Sequence, residues 1–144
     1  MREYLLILIL TAFFASCSVK SEPLILGEDA CHTCKMTLVD GRFGGEIVTK
    51  KGKIYKFDDL SCMINFSKSE YESRENIALE LVVDYAHPGN LVEVEKSFYC
   101  KSDKIRSPMA GNAAAFEKLD ELEKVNAQWQ GAVLNWNELL RQSE

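Results

Sequence analysis

The stretch "GEIVTKKGKIYKF", residues 45–57, decides the fold class. Two β-prone runs flank a short polar turn, in which Gly52 can take the positive φ that a tight turn requires. This pattern predicts a β-hairpin. Directly after it, Asp58 and Asp59 precede an apolar run that ends at Phe66, and an aspartate N-cap in that position predicts a helix. A hairpin that leads straight into a helix indicates an α+β arrangement.

The same order of elements recurs along the chain. Residues 79–85, LELVVDY, alternate in the manner of a strand, and the turn residues HPGN at 87–90 follow them. The second set consists of predicted strands at 91–99, 113–116 and 133–136, a helix with the apolar stripe Leu119, Leu122, Val125 and Trp129, and a short tail helix. The prediction is therefore an α+β fold of two tandem ββαβ units, at about 28–86 and 91–144, that form one small compact domain.

The N-terminus predicts export and attachment to a membrane. Residues 1–16 contain an apolar run shorter than the ~20 residues that span a bilayer, which is typical of a secretory signal peptide. The tripeptide ASC that ends at Cys17 looks like the lipobox of bacterial lipoproteins. We therefore expect lipidation of Cys17, a tether at 17–23 and a domain at 24–144 that faces the periplasm from a bacterial membrane. A signal peptide cut nearby, or an uncleaved anchor, is the alternative.

Composition restricts the possible functions. The 144 residues carry a net charge of −5 without a basic block, so nucleic acid is not an expected partner. The acidic residues are expected on solvated faces and no Ser/His/Asp arrangement is apparent, which argues against an enzyme. The exported part contains four cysteines, and in an oxidising envelope they could form two disulfides of undetermined pairing. They are Cys31, Cys34, Cys62 and Cys100.

Sulfur is concentrated in the segment EDACHTCKMTL, residues 28–38. In an extended segment, Cys34 and Met36 would project to the same side, and a turn could bring Cys31 close. Thiolate and thioether together favour Cu(I). Zinc prefers cysteine and histidine, and a four-ligand site would need a second close pair that the chain lacks. His32 alternates out of phase and is predicted to be an exposed loop residue.

Two further segments contain candidate ligands. In FDDLSCMINF, residues 57–66, Cys62 lies in the first turn of the predicted helix, where the helix dipole is expected to lower a thiol pKa. Met63 in the same segment is expected in the core. In SPMAGNAAAF, residues 107–116, Met109 is predicted to lie in a loop rather than on a helical face, and loops often carry function.

Taken together, these segments resemble the NosL family of copper-chaperone lipoproteins over almost the whole chain. The resemblance implies a duplicated ββαβ fold, Cu(I) binding, and delivery of copper to the multicopper centre of nitrous oxide reductase. It also implies that Cys34, Met36 and Met109 are metal ligands. Cys31 and Cys62 match positions that are often cysteine in the family without being required for copper binding. Lys35 and Ala110 stand where the family commonly has glycine.

The sequence thus predicts a membrane-anchored Cu(I) carrier that serves a client cuproenzyme, with a membrane copper exporter or a maturation complex as a further expected partner. It is not predicted to be an enzyme. One alternative is a lipoprotein thiol–disulfide protein that uses Cys31 and Cys34. Another is an inert envelope domain held by disulfides.

Overall fold

The structure, a computed structural model, describes residues 19–69 and 73–143. The predicted signal peptide and Cys17 lie outside the described residues, so lipidation stays a prediction. Among the residues that are described, no helix is long and apolar enough to cross a membrane.

The first unit is a four-stranded antiparallel sheet with one helix. Its elements are β1 (Gly45–Thr49), β2 (Ile54–Phe57), α1 (Leu60–Lys68), β3 (Ile77–Val83) and β4 (Leu91–Glu93). The strand order is β2-β1-β3-β4, so β1 lies between its hairpin partner and the strand that follows the helix. The predicted hairpin is confirmed, and Gly52 in its turn has a φ of +80°.

The second unit repeats this plan. Its elements are β5 (Phe98–Lys101), β6 (Ala113–Phe116), α2 (Leu119–Trp129), β7 (Ala132–Leu134) and the tail helix α3 (Trp136–Arg141). The strand order is β6-β5-β7, again antiparallel and again with the first strand in the centre. Two successive ββαβ units with the same connectivity confirm the predicted fold class.

One predicted strand needs correction. Residues 91–99 are two strands that belong to different sheets, separated by a 3-10 turn at Val94–Lys96. β4 pairs with β3 in the first sheet, with Val92 opposite Val82, whereas β5 begins the second sheet at Phe98. Alternation of apolar residues marks an extended segment but does not identify the strand that it pairs with.

The two units share a hydrophobic core. One continuous cluster contains Tyr55 and Met63 of the first unit together with Tyr99, Ala115 and Trp136 of the second. Met63 is fully buried, as predicted. Each large apolar side chain that is buried in this way contributes about 1.5–3 kcal/mol to folding. The core therefore fixes the positions of the loops that leave both sheets at their ends.

Several acidic residues are buried, which contradicts the expectation that they lie on solvated faces. Glu46, Asp58, Asp59 and Asp84 are at most 4% exposed. Buried carboxylates are retained when hydrogen bonds or charges compensate them. Their positions consequently mark the polar parts of the structure that the sequence pattern did not reveal.

The segment that precedes the first sheet is fixed against it. The backbone N–H of Glu22 donates to both carboxylate oxygens of Glu46, at 3.2 and 3.3 Å. Lys56 Nζ donates to the carbonyl oxygen of Pro23 at 3.0 Å and to Asp29 Oδ2 at 2.7 Å. The chain therefore joins the domain at a defined point on β1 and β2.

Candidate metal centre

The segment that contains the CxxC pair folds into a closed loop. Ala30 and Thr37 form an antiparallel bridge at its base. Inside the loop, the N–H of Cys31 donates to the carbonyl of Met36 at 2.8 Å, and the N–H of Lys35 donates to the carbonyl of Cys31 at 3.0 Å. These bonds fix the backbone on both sides of the two cysteines.

The loop is attached to the end of β2 and to helix α1. The N–H of His32 donates to the carbonyl of Lys56 at 2.8 Å, and the hydroxyl of Thr33 donates to the carbonyl of Cys62 at 3.0 Å. These two contacts bring the loop to the N-terminal half of α1. Asp58 lies at the same place, because it follows β2 directly.

Three thiols and one carboxylate meet at this junction. One ligand atom from each of Cys31, Cys34, Asp58 and Cys62 lies within 4.8 Å of all the others. Cys31, Cys62 and Asp58 are buried, whereas Cys34 is partly exposed and its thiol donates to the carboxylate of Asp58 at 3.4–3.5 Å. The arrangement groups soft donors in a largely buried cluster, in which one thiol, that of Cys34, is partly exposed to solvent.

All four cysteines in the described part of the chain are free thiols. Cys100 lies apart from the cluster and donates to the side-chain oxygen of Asn126 at 3.2 Å. Three of the four predicted cysteines therefore converge, while the fourth belongs to the packing of the second unit.

The three clustered thiols differ in acidity. A hydrogen bond from Cys62 lowers the pKa of the Cys31 thiol to about 6. The same hydrogen bond, together with burial, raises the pKa of Cys62. Burial also raises the pKa of Cys34. The expectation that the helix dipole lowers the pKa of Cys62 is therefore wrong, because the contact with Cys31 and the loss of hydration outweigh the dipole.

Two predictions about the loop also need correction. Lys35 has a φ of +66°, so the segment from Cys34 to Met36 is not extended and simple alternation does not apply to it. Met36 is 51% exposed. The ring of His32 packs edge-on against Tyr55, with ring centroids 4.7 Å apart, so His32 is half-buried rather than exposed.

Met109 lies in a loop, as predicted, and this loop is attached to the start of α1. Asp59 caps the helix by accepting from the N–H of Ser61 at 2.8 Å, and its other oxygen accepts from the N–H of Met109 at 2.8 Å. A Cβ at Gly111 would lie 2.4 Å from Asp59 Oδ1, so only glycine allows this close approach. The side chain of Met109 remains 40% exposed.

The structure thus brings Cys31, Cys34 and Cys62 into one cluster. Met36 is exposed in the loop that contains Cys31 and Cys34, and Met109 is exposed in a second loop, which is bonded to Asp59, the residue after Asp58. Asp58 was missed as a candidate ligand. The available signal was its position, immediately after a strand and immediately before an N-cap aspartate, where one of two adjacent carboxylates is free of the capping role.

The loop positions where the family commonly has glycine give a stability prediction. Ala110 has a φ of +55°, a conformation that costs a non-glycine residue about 1–2 kcal/mol. We expect Ala110→Gly to raise the free energy of unfolding by up to about 1 kcal/mol, since the greater chain entropy of glycine offsets part of the gain. Urea denaturation measures the change.

Ala127→Gly is the matched control, because Ala127 is exposed in the last turn of α2. There the same substitution should lower the free energy of unfolding by about 0.5–1 kcal/mol. Equal losses at both positions would show that the backbone at Ala110 is not strained.

Comparisons with known proteins agree with the fold. A model of the NosL family matches residues 24–143. The crystal structure of the copper chaperone NosL from Shewanella denitrificans superposes with a TM-score of 0.71 at 16% identity, over 84% of this chain and 96% of that chain. No curated protein matches the chain. Because the family match extends over nearly all of the described residues, the chain belongs to the NosL family.

Proposed function

We propose that the protein is a Cu(I) metallochaperone of the bacterial cell envelope. It carries copper to a client cuproenzyme, and the multicopper centre of nitrous oxide reductase is the proposed client. Membership of the NosL family supports a role in copper binding, and the copper chaperone from Shewanella denitrificans has the same fold. The observation that carries the proposal is the convergence of three free thiols within 4.8 Å.

The donor set suits Cu(I) better than a hard cation. Thiolates and thioethers are soft ligands, and they select Cu(I) over cations that prefer oxygen. In the proposed site, Cys34 is the principal thiolate, and Cys31 and Cys62 complete a sulfur environment behind it. Asp58 accepts the thiol proton of Cys34 in a hydrogen bond before copper binds. Copper displaces that proton when the Cys34–Cu bond forms.

The exposure of the donors suits transfer rather than storage. Cys34 is partly exposed. Met36 is 51% exposed and Met109 is 40% exposed. A soft ligand from the client can therefore attach to copper before its bonds to the chaperone break. Met63 is fully buried and takes no part. A membrane copper exporter, or a maturation complex, is the proposed donor of the metal.

Anchoring at the membrane is the second part of the proposal. A lipid on Cys17 would hold the domain at the periplasmic face of a membrane without a spanning helix. Acylation of Cys17 is checked by the mass of the N-terminal peptide from the membrane fraction. An unmodified Cys17 in membrane-bound protein would contradict it.

A thiol–disulfide protein is the competing function, because the CxxC turn contains a thiol whose pKa is lowered to about 6 at Cys31. The two functions differ in their need for methionine. Loss of both Met36 and Met109 should weaken copper retention while leaving thiol–disulfide exchange unchanged, since a thioether does not take part in that exchange.

The experiment uses the full-length protein, purified anaerobically in mild detergent and loaded with Cu(I). We expect one tightly held Cu(I) per chain in the wild type, and weaker retention against a chromophoric chelator in the Met36→Ala/Met109→Ala variant. A wild type that loses its copper to the chelator at once would contradict the chaperone. If the wild type failed in this way, and it and the double variant reduced disulfides equally well, the competing function would be favoured.

A further inference from the structure

We propose that the protein has a second metal site, for Zn²⁺, formed by Asp84, His87 and Glu121 where the two sheets join. One ligand atom from each residue lies within 4.8 Å of the other two. None of these residues belongs to the sulfur cluster. Asp84 follows β3, His87 lies in the turn before β4, and Glu121 lies in the first turn of α2.

Asp84 provides a fixed, fully buried carboxylate. Its Oδ1 accepts from the N–H of Ala86 at 3.1 Å and from the N–H of Glu117 at 3.4 Å. Its Oδ2 is 2.7 Å from His87 Nδ1. One oxygen is thus occupied by the backbone of both units, and the other is directed at the imidazole.

Glu121 provides a carboxylate oxygen that the protein leaves unsatisfied. Its Oε2 is buried and has no hydrogen-bond partner, although His87 Nδ1 is only 3.7 Å away. The other oxygen, Oε1, is 3.6 Å from Lys118 Nζ. A buried carboxylate oxygen without a hydrogen bond is costly, and a cation between it and the Asp84–His87 pair would reduce that cost.

The spacing fits zinc after small shifts. Ligand atoms that bind zinc at 2.0–2.2 Å in a tetrahedral site are about 3.3 Å from one another. The distance of 2.7 Å from His87 Nδ1 to Asp84 Oδ2 would have to increase by about half an ångström. The distance of 3.7 Å from His87 Nδ1 to Glu121 Oε2 would have to decrease by about the same amount. His87 is half exposed, so its ring can move, and solvent can provide a fourth ligand.

The ligand types separate this site from the copper site. One imidazole nitrogen and two carboxylate oxygens suit a divalent cation of borderline softness such as Zn²⁺, and they are poor ligands for Cu(I). Asp84 also forms a parallel bridge with Ala115 of β6. A zinc ion there would join β3 of the first unit to α2 of the second, so we assign it a stabilising role.

Co²⁺ is the probe, because its spectrum distinguishes thiolate from oxygen and nitrogen ligands. The full-length protein is titrated with Co²⁺ anaerobically, and binding is followed by absorbance and by the paramagnetic shift of the His87 ring protons. Three free thiols also bind Co²⁺, so one equivalent is expected at the sulfur cluster with a thiolate-to-cobalt charge-transfer band. A further equivalent should bind without adding to that band while shifting the His87 signals. Zn²⁺ should displace it and raise the melting temperature.

Glu121→Gln is the test variant and Glu123→Gln the matched control, since Glu123 is exposed on the same helix. Glu121→Gln should lower the affinity for this equivalent of Co²⁺ by more than about 100-fold. Changes to residues that only surround a metal ligand already lower metal affinity by about 10- to 100-fold. Glu123→Gln should bind as the wild type does. His87→Gln, expected to behave like Glu121→Gln, provides a second variant if the first does not fold. Unshifted His87 signals in the wild type, or full binding by Glu121→Gln, would overturn the site.

Discussion

Replacement of Cys34 by serine is expected to lower the affinity for Cu(I) by more than about 100-fold, the largest single-residue effect on copper that we predict. Cys34 is the one thiol of the cluster that reaches solvent, and its Sγ is the donor through which an incoming copper ion would first bind. A hydroxyl is a hard ligand and cannot replace a thiolate toward Cu(I). The substitutions Cys31→Ser and Cys62→Ser should lower the affinity for Cu(I) less, because the Cys34 thiol remains.

The measurement is a Cu(I) competition titration with a chromophoric chelator at several pH values. Copper displaces the thiol proton, so affinity should weaken as the pH falls. The slope should approach one proton per copper if Cys34 is the only thiol that ionises on binding, and two if Cys62 does so as well. Cys31, with a pKa of about 6, would add a proton only below that pH. Cys100→Ser is the matched control, since Cys100 is buried outside the cluster. Wild-type affinity for Cu(I) in Cys34→Ser would contradict the proposed site. A greater loss of Cu(I) affinity in Cys31→Ser than in Cys34→Ser would show that Cys31 is the principal ligand instead.

Removal of the Asp59 carboxylate is expected to have the largest effect on stability. Asp59→Ala should lower the free energy of unfolding by about 2–4 kcal/mol, because the change removes a helix N-cap and leaves the N–H of Met109 without its acceptor. Asp59 is fully buried, so water cannot readily replace either bond. Chemical denaturation gives the loss.

Asn135→Ala is the control, since Asn135 caps α3 without bonding a second loop. This substitution should lower the free energy of unfolding by about 1 kcal/mol. A copper measurement adds a functional readout. If the loop of Met109 depends on Asp59, the variant should also retain Cu(I) less well while its three thiols stay in place. A loss no greater than that of Asn135→Ala would show that the bond to Met109 is energetically unimportant.

The repeated ββαβ order could be predicted from sequence because each element has a local signal. The hairpin turn at Gly52, the aspartate N-cap at Asp59 and the apolar stripe of α2 all act within a few residues of one another. The division of residues 91–99 between two sheets could not be predicted, since the three residues of β4 alternate like those of β5 and fit either sheet.

The candidate metal centre was partly predictable for the same reason. Cysteines and methionines are visible in a sequence, and their residue types indicated copper. Their geometry depends on two tertiary contacts, the bond from Thr33 to the carbonyl of Cys62 and the bond from Met109 to Asp59. Neither contact has a periodic signal. Asp58 was missed because a carboxylate beside an N-cap looks like any other helix-starting residue until the fold shows what faces it.

The fixed segment at residues 22–29 has a consequence for the reach of the domain. With the lipid proposed at Cys17, only five residues separate the bilayer from the bond between Glu22 and Glu46. Fully extended, they span at most about 18 Å. The loop that contains Cys31 and Cys34 would then stay in a thin layer beside the membrane, where the effective concentration of a membrane-bound client is high. A longer spacer before Glu22 should therefore slow copper transfer without altering copper affinity.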